Sequence, residues 1–230
     1  MNTSFTNIST LLLSQKTRTD IPIRGVIHIG ACRCEEWEEY KKLNVEKVLW
    51  IEGNPSFVDA GTELLSATTN QKIMQAYLSQ KNGTETFYLT EVDACNDSLM
   101  KPRDWYKTVA IKDSITVNVT RLDKFFQDYP FLNIGEFNTL VVDVQGAELK
   151  VLMGCGNIIN HMDFVVCEAW YDELEVFGSD IYAGGTPISK LKYFLENIYG
   201  FTETLRTPTD EENPQRTHSW LDVIFERVQK

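Results

Sequence analysis

Short apolar runs alternate with amphipathic stretches along this chain, and that alternation predicts an α/β fold built on a mainly parallel sheet. Val26-Ile27-His28-Ile29 reads as a first strand, closed by Gly30. Residues 35–43 read as a helix whose first turn is rich in carboxylates, which suit the positive end of the helix dipole. Residues 47–51 read as a second strand running into Glu52-Gly53-Asn54-Pro55, with Pro55 suited to the first position of a helix. Residues 73–78 read as a third strand. Asn82-Gly83 is a turn signal, and residues 84–90 and 115–119 alternate as strands do. The polar stretch 91–112 reads as a long loop or small lid. Residues 121–129 read as a short helix stopped by Pro130.

The second half is more sharply patterned. Thr139-Leu140-Val141-Val142-Asp143-Val144 is an apolar strand with an acid near its end. Gly146 then opens a helix with Leu149, Leu152 and Met153 at core spacing. Residues 163–169 form another strand, with Glu168 near its end. Residues 171–186 are a glycine-containing loop. Pro187 starts a helix whose apolar face carries Ile188, Leu191, Leu195 and Ile198. Residues 201–205 and 220–226 read as two last strands around the polar segment 207–217. Without repeat, linker or low-complexity tract, residues 1–230 read as one domain, with 1–20 as an N-terminal extension.

Composition narrows the class. Of 230 residues, 43% are hydrophobic and 24% charged, as in ordinary soluble globular proteins. No apolar run approaches the length of a membrane span. Residues 1–15 hold only Leu11-Leu12-Leu13 and lack the basic start of a signal peptide, so a cytoplasmic location is expected. Cys32, Cys34, Cys95, Cys155 and Cys167 are odd in number and suggest no framework, so reduced thiols are expected. A formal net charge of −11 without a Lys/Arg cluster makes nucleic acid a poor partner. Homo-oligomerisation is left open.

Candidate chemistry gathers at the strand ends. Gly30 lets the backbone approach a ligand closely. Glu52 stands 22 residues further on, near the spacing at which an acid binds a ribose diol. The G-x-G-x-x-G turn is absent, which disfavours a nicotinamide dehydrogenase. It favours a loop cradling a small zwitterion, such as the methionine part of S-adenosylmethionine. A tight structural turn with a surface Glu is the alternative. Ala76, Tyr77 and Leu78 would flank an adenine, or simply pack. Asp143 and Glu168 end successive strands; if these are parallel neighbours, both carboxylates reach the crevice at the sheet's carboxyl edge. Burying two acids costs desolvation energy, which points to function, although Asp143 could also cap the next helix. His218 precedes the last strand; if that strand is antiparallel, His218 lies at the same edge, where imidazole can accept a hydroxyl proton. A solvated loop is its alternative. His161 reads as a surface residue, and His28 as a strand residue just before the cofactor glycine. Asp143, Glu168 and His218 could also ligate Mg²⁺ or Mn²⁺.

The runs Val26-Ile27-His28-Ile29-Gly30-Ala31, Val48-Leu49-Trp50-Ile51-Glu52-Gly53-Asn54-Pro55 and Val142-Asp143-Val144-Gln145-Gly146-Ala147-Glu148 resemble the FkbM family of methyltransferases. The stretch from Asp143 to Glu148 is the most specific part. Gly83-Thr84-Glu85-Thr86-Phe87-Tyr88 and Asn96-Asp97-Ser98-Leu99 fit the family's middle region, so the similarity spans roughly residues 24–227. The resemblance implies a Rossmann-like class I methyltransferase fold: a seven-stranded, mostly parallel sheet with an antiparallel last strand and helices on both faces. It implies S-adenosylmethionine as donor and O-methylation of a sugar, glycan or polyketide-type hydroxyl. Cofactor contacts are then expected from His28, Gly30, Ala31, Glu52, Gly53, Asn54, Ala76, Tyr77, Leu78, Ser98 and Asp143. Methyl transfer would use His218 or Asp143 as base, with Glu168 orienting. Trp170, Tyr171, Tyr182 and Trp220 would either wall a sugar site or pack as core and lid. Two positions depart from the family pattern: His28 replaces a usual acid, and Cys34 replaces a usual second glycine. The Cys34 departure alone favours a competing reading, a non-catalytic ligand-binding module.

Overall fold

The near-continuous apolar runs of the sequence become strands buried on both faces, as central strands of a parallel sheet are. The computed structural model describes residues 20–45, 47–91, 93–104, 110–172, 181–207 and 220–228. Its strands in chain order are β1 (Gly25–Ile29), β2 (Lys47–Glu52), β3 (Gln71–Gln75), β4 (Tyr77–Leu78), β5 (Gly83–Thr90), β6 (Ile111–Thr120), β7 (Thr139–Val142), β8 (Phe164–Trp170), β9 (Phe201–Thr207) and β10 (Trp220–Arg227). Seven of them form the main sheet in the order β3-β2-β1-β7-β8-β10-β9. β1 pairs in parallel with both β2 and β7, and β7 with β8. Only β10 runs against its neighbours, β8 and β9. The mainly parallel sheet is as the residue pattern predicts, and the seven strands with the last antiparallel are as the family resemblance implies.

Alternate residues face opposite layers. Ile27, Ile29, Leu49, Ile51, Leu140 and Val142 pack with α3 (Leu122–Asp128), α4 (Glu148–Met153) and α5 (Ile188–Lys192). Val26, Val48, Trp50 and Val141 pack on the other face with Tyr40 of α1 (Trp37–Lys42). Val58, from α2 (Pro55–Leu64), covers the edge of that face. Chain order reverses at β1, which has β2 on one side and β7 on the other. In open α/β sheets such a switch point opens a crevice at the strands' carboxyl ends.

Several local expectations are corrected. The third strand does not run on to residue 78: β3 ends at Gln75, and β4 pairs in parallel with β6 in a separate three-stranded sheet, β4-β6-β5. β3 is an edge strand, so its chain is free to leave after Ala76, whose N–H is still held by the Glu52 carbonyl at 2.9 Å. The small sheet buries Phe87, Val117 and Val119 against Tyr77, Leu89 and Leu99. The helix predicted from residue 35 begins at Trp37, because Cys32 and Cys34 take left-handed φ values of 41° and 55° and wind the preceding residues into turns. The helix predicted to open at Gly146 begins at Glu148, after left-handed Gln145 and Gly146. Its buried face carries Val151 and Leu152, while Leu149 is only partly buried and Met153 is 47% exposed. Ile198 is likewise exposed, because residues Tyr193–Ile198 widen into a π-helical turn that carries it off the buried face.

The cysteines also depart from expectation. Cys32 and Cys95 are disulfide-bonded across 63 residues, with Cα atoms 5.5 Å apart. Sequence spacing hides this pairing. The turn Ala94–Asn96 is folded back over the first-strand loop, because Thr90 holds both the Asp93 carbonyl and the Asp97 carboxylate. Cys34, Cys155 and Cys167 are free and buried. Air-oxidised protein, denatured without reductant, is therefore expected to titrate three thiols. Five would contradict the cross-link. Among the described residues, no helix is long and apolar enough to cross a membrane.

Candidate functional site

A cleft opens at the carboxyl ends of β1, β2 and β7. Gly30, Glu52, Gly53, Ala76, Tyr77, Leu78 and Asp143 all line it, joined by Cys32, Cys95, Asp97 and Gln145. Gly30 has φ +86°, and a β-carbon there would stand 1.7 Å from the Asp143 carbonyl oxygen. The absence of a side chain thus lets the ends of β1 and β7 meet, which brings the Asp143 side chain to the cleft beside the first loop.

Glu52 is fixed at both oxygens. Oε2 accepts from the Cys32 amide at 2.8 Å, and Oε1 from the Asn54 amide at 2.7 Å. Burial raises its pKa, and those backbone bonds oppose the rise. A carboxylate offers about four lone-pair sites, so two backbone donors leave it able to accept more hydrogen bonds. Beyond Glu52, the Tyr77 ring lies against Gly53, where a β-carbon would come within 2.4 Å of it. Tyr77 meets Phe87 edge-on at 4.8 Å, which gives this end of the cleft an aromatic wall. Asp97 lines the same end, its carboxylate held by the Thr90 amide and hydroxyl and its pKa raised by burial. Ser98 is the cofactor residue expected from this stretch, whereas the one that lines the cleft is its neighbour Asp97.

Four residues expected to contact the cofactor are not among those lining this cleft. His28 is buried, stacked on Trp50 at 4.8 Å, with Nδ1 2.9 Å from the Tyr40 hydroxyl. Burial lowers its pKa to about 4 against the pull of Asp143, so it is neutral at pH 7. Ala31 packs in the layer beneath α1. Asn54 caps α2 by accepting from the Ser56 amide. Ser98 donates to the Gln145 carbonyl at 2.7 Å and accepts from the Met100 amide, tying the small-sheet loop to the loop after β7. Cys34 occupies the position of the expected glycine. It tolerates the left-handed conformation, with its thiol buried and its pKa pushed up to about 12 by that burial.

At the other end of the cleft, β7 and β8 are parallel neighbours, and Asp143 and Glu168 come together. A carboxylate oxygen from each of Asp143, Glu148 and Glu168 lies within 4.8 Å of the others. Gln145, in a left-handed conformation, donates Nε2 to Asp143 at 2.8 Å and reaches Glu168 at 3.5 Å. The Tyr182 hydroxyl stands 3.3 Å from the Gln145 amide oxygen and donates to the Asn96 carbonyl. Burial first, then the charge of Glu36, raises the pKa of Asp143. Burial first, then Asp143 and Glu148, raises that of Glu168. Glu148 is pushed to about 7 by burial. Its Oε1 accepts from the Val144 and Gly146 amides, so Glu148, and not Asp143, satisfies the loop that opens α4. Glu148 stands in the motif quoted above, but its inward turn depends on backbone at Gln145 and Gly146 that side-chain periodicity does not report. His218 falls outside the described residues. Trp170, Tyr171 and Tyr182 are buried as core, and Trp220 packs against the Trp170 and Tyr182 cluster.

The family model for the Methyltransferase FkbM domain matches residues 28–198. No curated protein sequence matches significantly. Among solved structures, the methyltransferase domain of bacterial CtHen1-C is similar at a TM-score of 0.54 and 9% identity, with 96% of each chain covered. The precorrin-6y C5,15-methyltransferase of Geobacter metallireducens GS-15 is similar at 0.50 and 12% identity, covering 96% of this chain and 88% of that one. An uncharacterized protein of Listeria monocytogenes serotype 4b gives 0.50 and 7%, covering 95% and 68%. At such identities these likenesses concern the fold.

Proposed function

The chain belongs to the FkbM family of S-adenosylmethionine-dependent methyltransferases, and on that premise we propose that it methylates a hydroxyl oxygen of a sugar or glycan. The single observation that carries this reading is one cleft holding Glu52 at one end and Asp143, beside Glu168, at the other. The cleft suits the donor. Glu52 keeps lone pairs for the two hydroxyls of a ribose, and Tyr77, Leu78 and Phe87 offer apolar surface for a purine. When bound, S-adenosylmethionine supplies an electrophilic methyl group on a sulfonium.

The protein's own task is then to bring a nucleophile to the Asp143 end and hold it in line, where positioning contributes much of the acceleration. A neutral hydroxyl is a weak nucleophile, and a carboxylate made more basic by burial is better placed to accept its proton. Asp143 fills that role here, with Gln145 and Glu168 orienting the acceptor; His218 is the second candidate base. Buried carboxylates favour oxygen over nitrogen as the acceptor. They hold an amine as its ammonium form, which has no lone pair to offer, but they accept hydrogen bonds from hydroxyls. A sugar presents several such hydroxyls to a polar pocket. A polyketide-type hydroxyl is the alternative acceptor of the same chemistry.

Incubation with S-adenosylmethionine and a panel of glycosides tests the reading. The expected product has gained one methyl group in an ether linkage, located by fragmentation. Methylation confined to amines or carbon would reject it. Glu52→Ala is expected to weaken S-adenosylhomocysteine binding by about 10–100-fold, since hydrogen bonds to a charged group contribute about 1.5–3 kcal/mol. Calorimetry reads this directly, and unchanged affinity would remove Glu52 from the donor site.

A further inference from the structure

We propose that Asp143, Glu148 and Glu168 form a binding site for a hard divalent cation at the acceptor end of the cleft. The inference rests on the methyltransferase reading in one respect: the ion's remaining positions would face the acceptor, and with an ion bound Asp143 would act as its ligand, leaving the acceptor's proton to the second candidate base, His218. The three side chains offer oxygens within 4.8 Å of one another. Oxygen-only ligands select Mg²⁺, Mn²⁺ or Ca²⁺, whose metal–oxygen distances of about 2.0–2.6 Å put opposite ligands roughly 4–5 Å apart.

A second observation is independent of that spacing. Glu148 is fully buried, and its Oε1 is committed to two backbone amides. Its Oε2 is inaccessible to solvent and has no hydrogen-bond partner among the described residues. A buried carboxylate oxygen left without a partner is costly and calls for a cation or a proton.

Charge balance points the same way. Asp222 stands opposite Glu168 in the β8–β10 register, adding a fourth carboxyl to this edge. The neighbouring cationic side chain on α4, Lys150, is turned away to Glu85 at 2.9 Å. Among the described residues, no lysine or arginine forms an ion pair with Asp143, Glu148 or Glu168. The ligands are also held in place. Two amides fix Glu148, and the Gln145 Nε2 bridges Asp143 and Glu168. Such outer contacts are what orient carboxylates around an ion. Asp143 and Gln145 line the cleft, so a bound ion would present open positions to an acceptor's oxygens.

The test uses the full chain stripped by chelator and titrated with Mn²⁺, read by loss of the free-ion electron paramagnetic resonance signal. One saturable site is expected, competed by Mg²⁺ or Ca²⁺. Glu168→Gln and Glu148→Gln are each expected to weaken it by at least about tenfold. Glu168→Gln changes no backbone contact and so covers the case in which Glu148→Gln fails to fold. If protons balance the cluster instead, Mn²⁺ does not bind and Glu168→Gln raises the melting temperature of the metal-free protein; that result overturns the proposal. Mn²⁺ binding unaffected by Glu168→Gln also overturns it. S-adenosylhomocysteine calorimetry on the same samples separates the two readings. Donor binding without Mn²⁺ binding rejects only the cation site, whereas loss of donor binding rejects the methyltransferase reading itself.

Discussion

Asp143→Asn is expected to lower the rate of methyl transfer by about 10²–10⁴-fold, the usual range for loss of a positioned proton acceptor, while leaving the protein folded. The expectation follows from geometry. Asparagine keeps the oxygen that accepts from Gln145 Nε2 at 2.8 Å, so the loop between β7 and α4 has no reason to move. What disappears is one negative charge among neighbouring carboxylates. Asp143 has its pKa raised in the fold by burial and by Glu36, which means its ionised form is disfavoured there. Neutralising it removes that penalty, so the melting temperature should hold or rise. Single-turnover kinetics and a thermal melt together read the outcome. A slow, stable variant supports the assignment. A variant within about threefold of the wild-type rate would contradict it, since that corresponds to well under 1 kcal/mol of transition-state stabilisation.

Gly30→Ala is expected to be the most damaging alanine substitution among the described glycines. Its β-carbon would fall 1.7 Å from the Asp143 carbonyl oxygen and 2.7 Å from the carbonyl carbon, in a backbone conformation at φ +86° that L-residues resist. Both obstacles are backbone, so no rotamer change relieves them. The ends of β1 and β7 must separate, breaking the Asp143 N–H bond to the Ile29 carbonyl at 3.0 Å. Domains are stable by only about 5–15 kcal/mol, and a forced separation of central strands takes a large part of that. The variant should be insoluble or melt far below wild type. Gly200→Ala is the control: φ is +71°, but nothing lies within 4 Å of the added carbon. Only the left-handed penalty of about 1–2 kcal/mol remains. Equal losses for the two variants in urea denaturation would show that conformation alone matters and that the close contact at Gly30 does not.

The central sheet was legible because its signal is local. β1, β7 and β8 are runs of buried residues, and their parallel pairing follows from helices placed between them. Glu52 and Asp143 were legible for the same reason, as acids that terminate apolar runs. The features that escaped depend on backbone conformation or on distant pairing. A left-handed Cys34 delays the first helix, and left-handed Gln145 and Gly146 turn Glu148 inward. The break at Ala76 leaves no mark on hydrophobicity, because Tyr77 and Leu78 are as apolar as a continuing strand would be. Cys95 meets Cys32 only through the fold of the small-sheet loop. His28, two residues before Gly30, is among the cofactor contacts expected once the resemblance is drawn. Strand alternation instead sends its ring to the opposite layer, against Trp50 and Tyr40.

A crystal structure of the protein with S-adenosylhomocysteine bears most directly on the shared cleft. The account predicts the ribose hydroxyls on the Glu52 carboxylate, the adenine beside Tyr77 and Leu78, and the sulfur end of the ligand toward Asp143. Ligand bound away from these residues, or no ligand bound at saturating concentration, would contradict it.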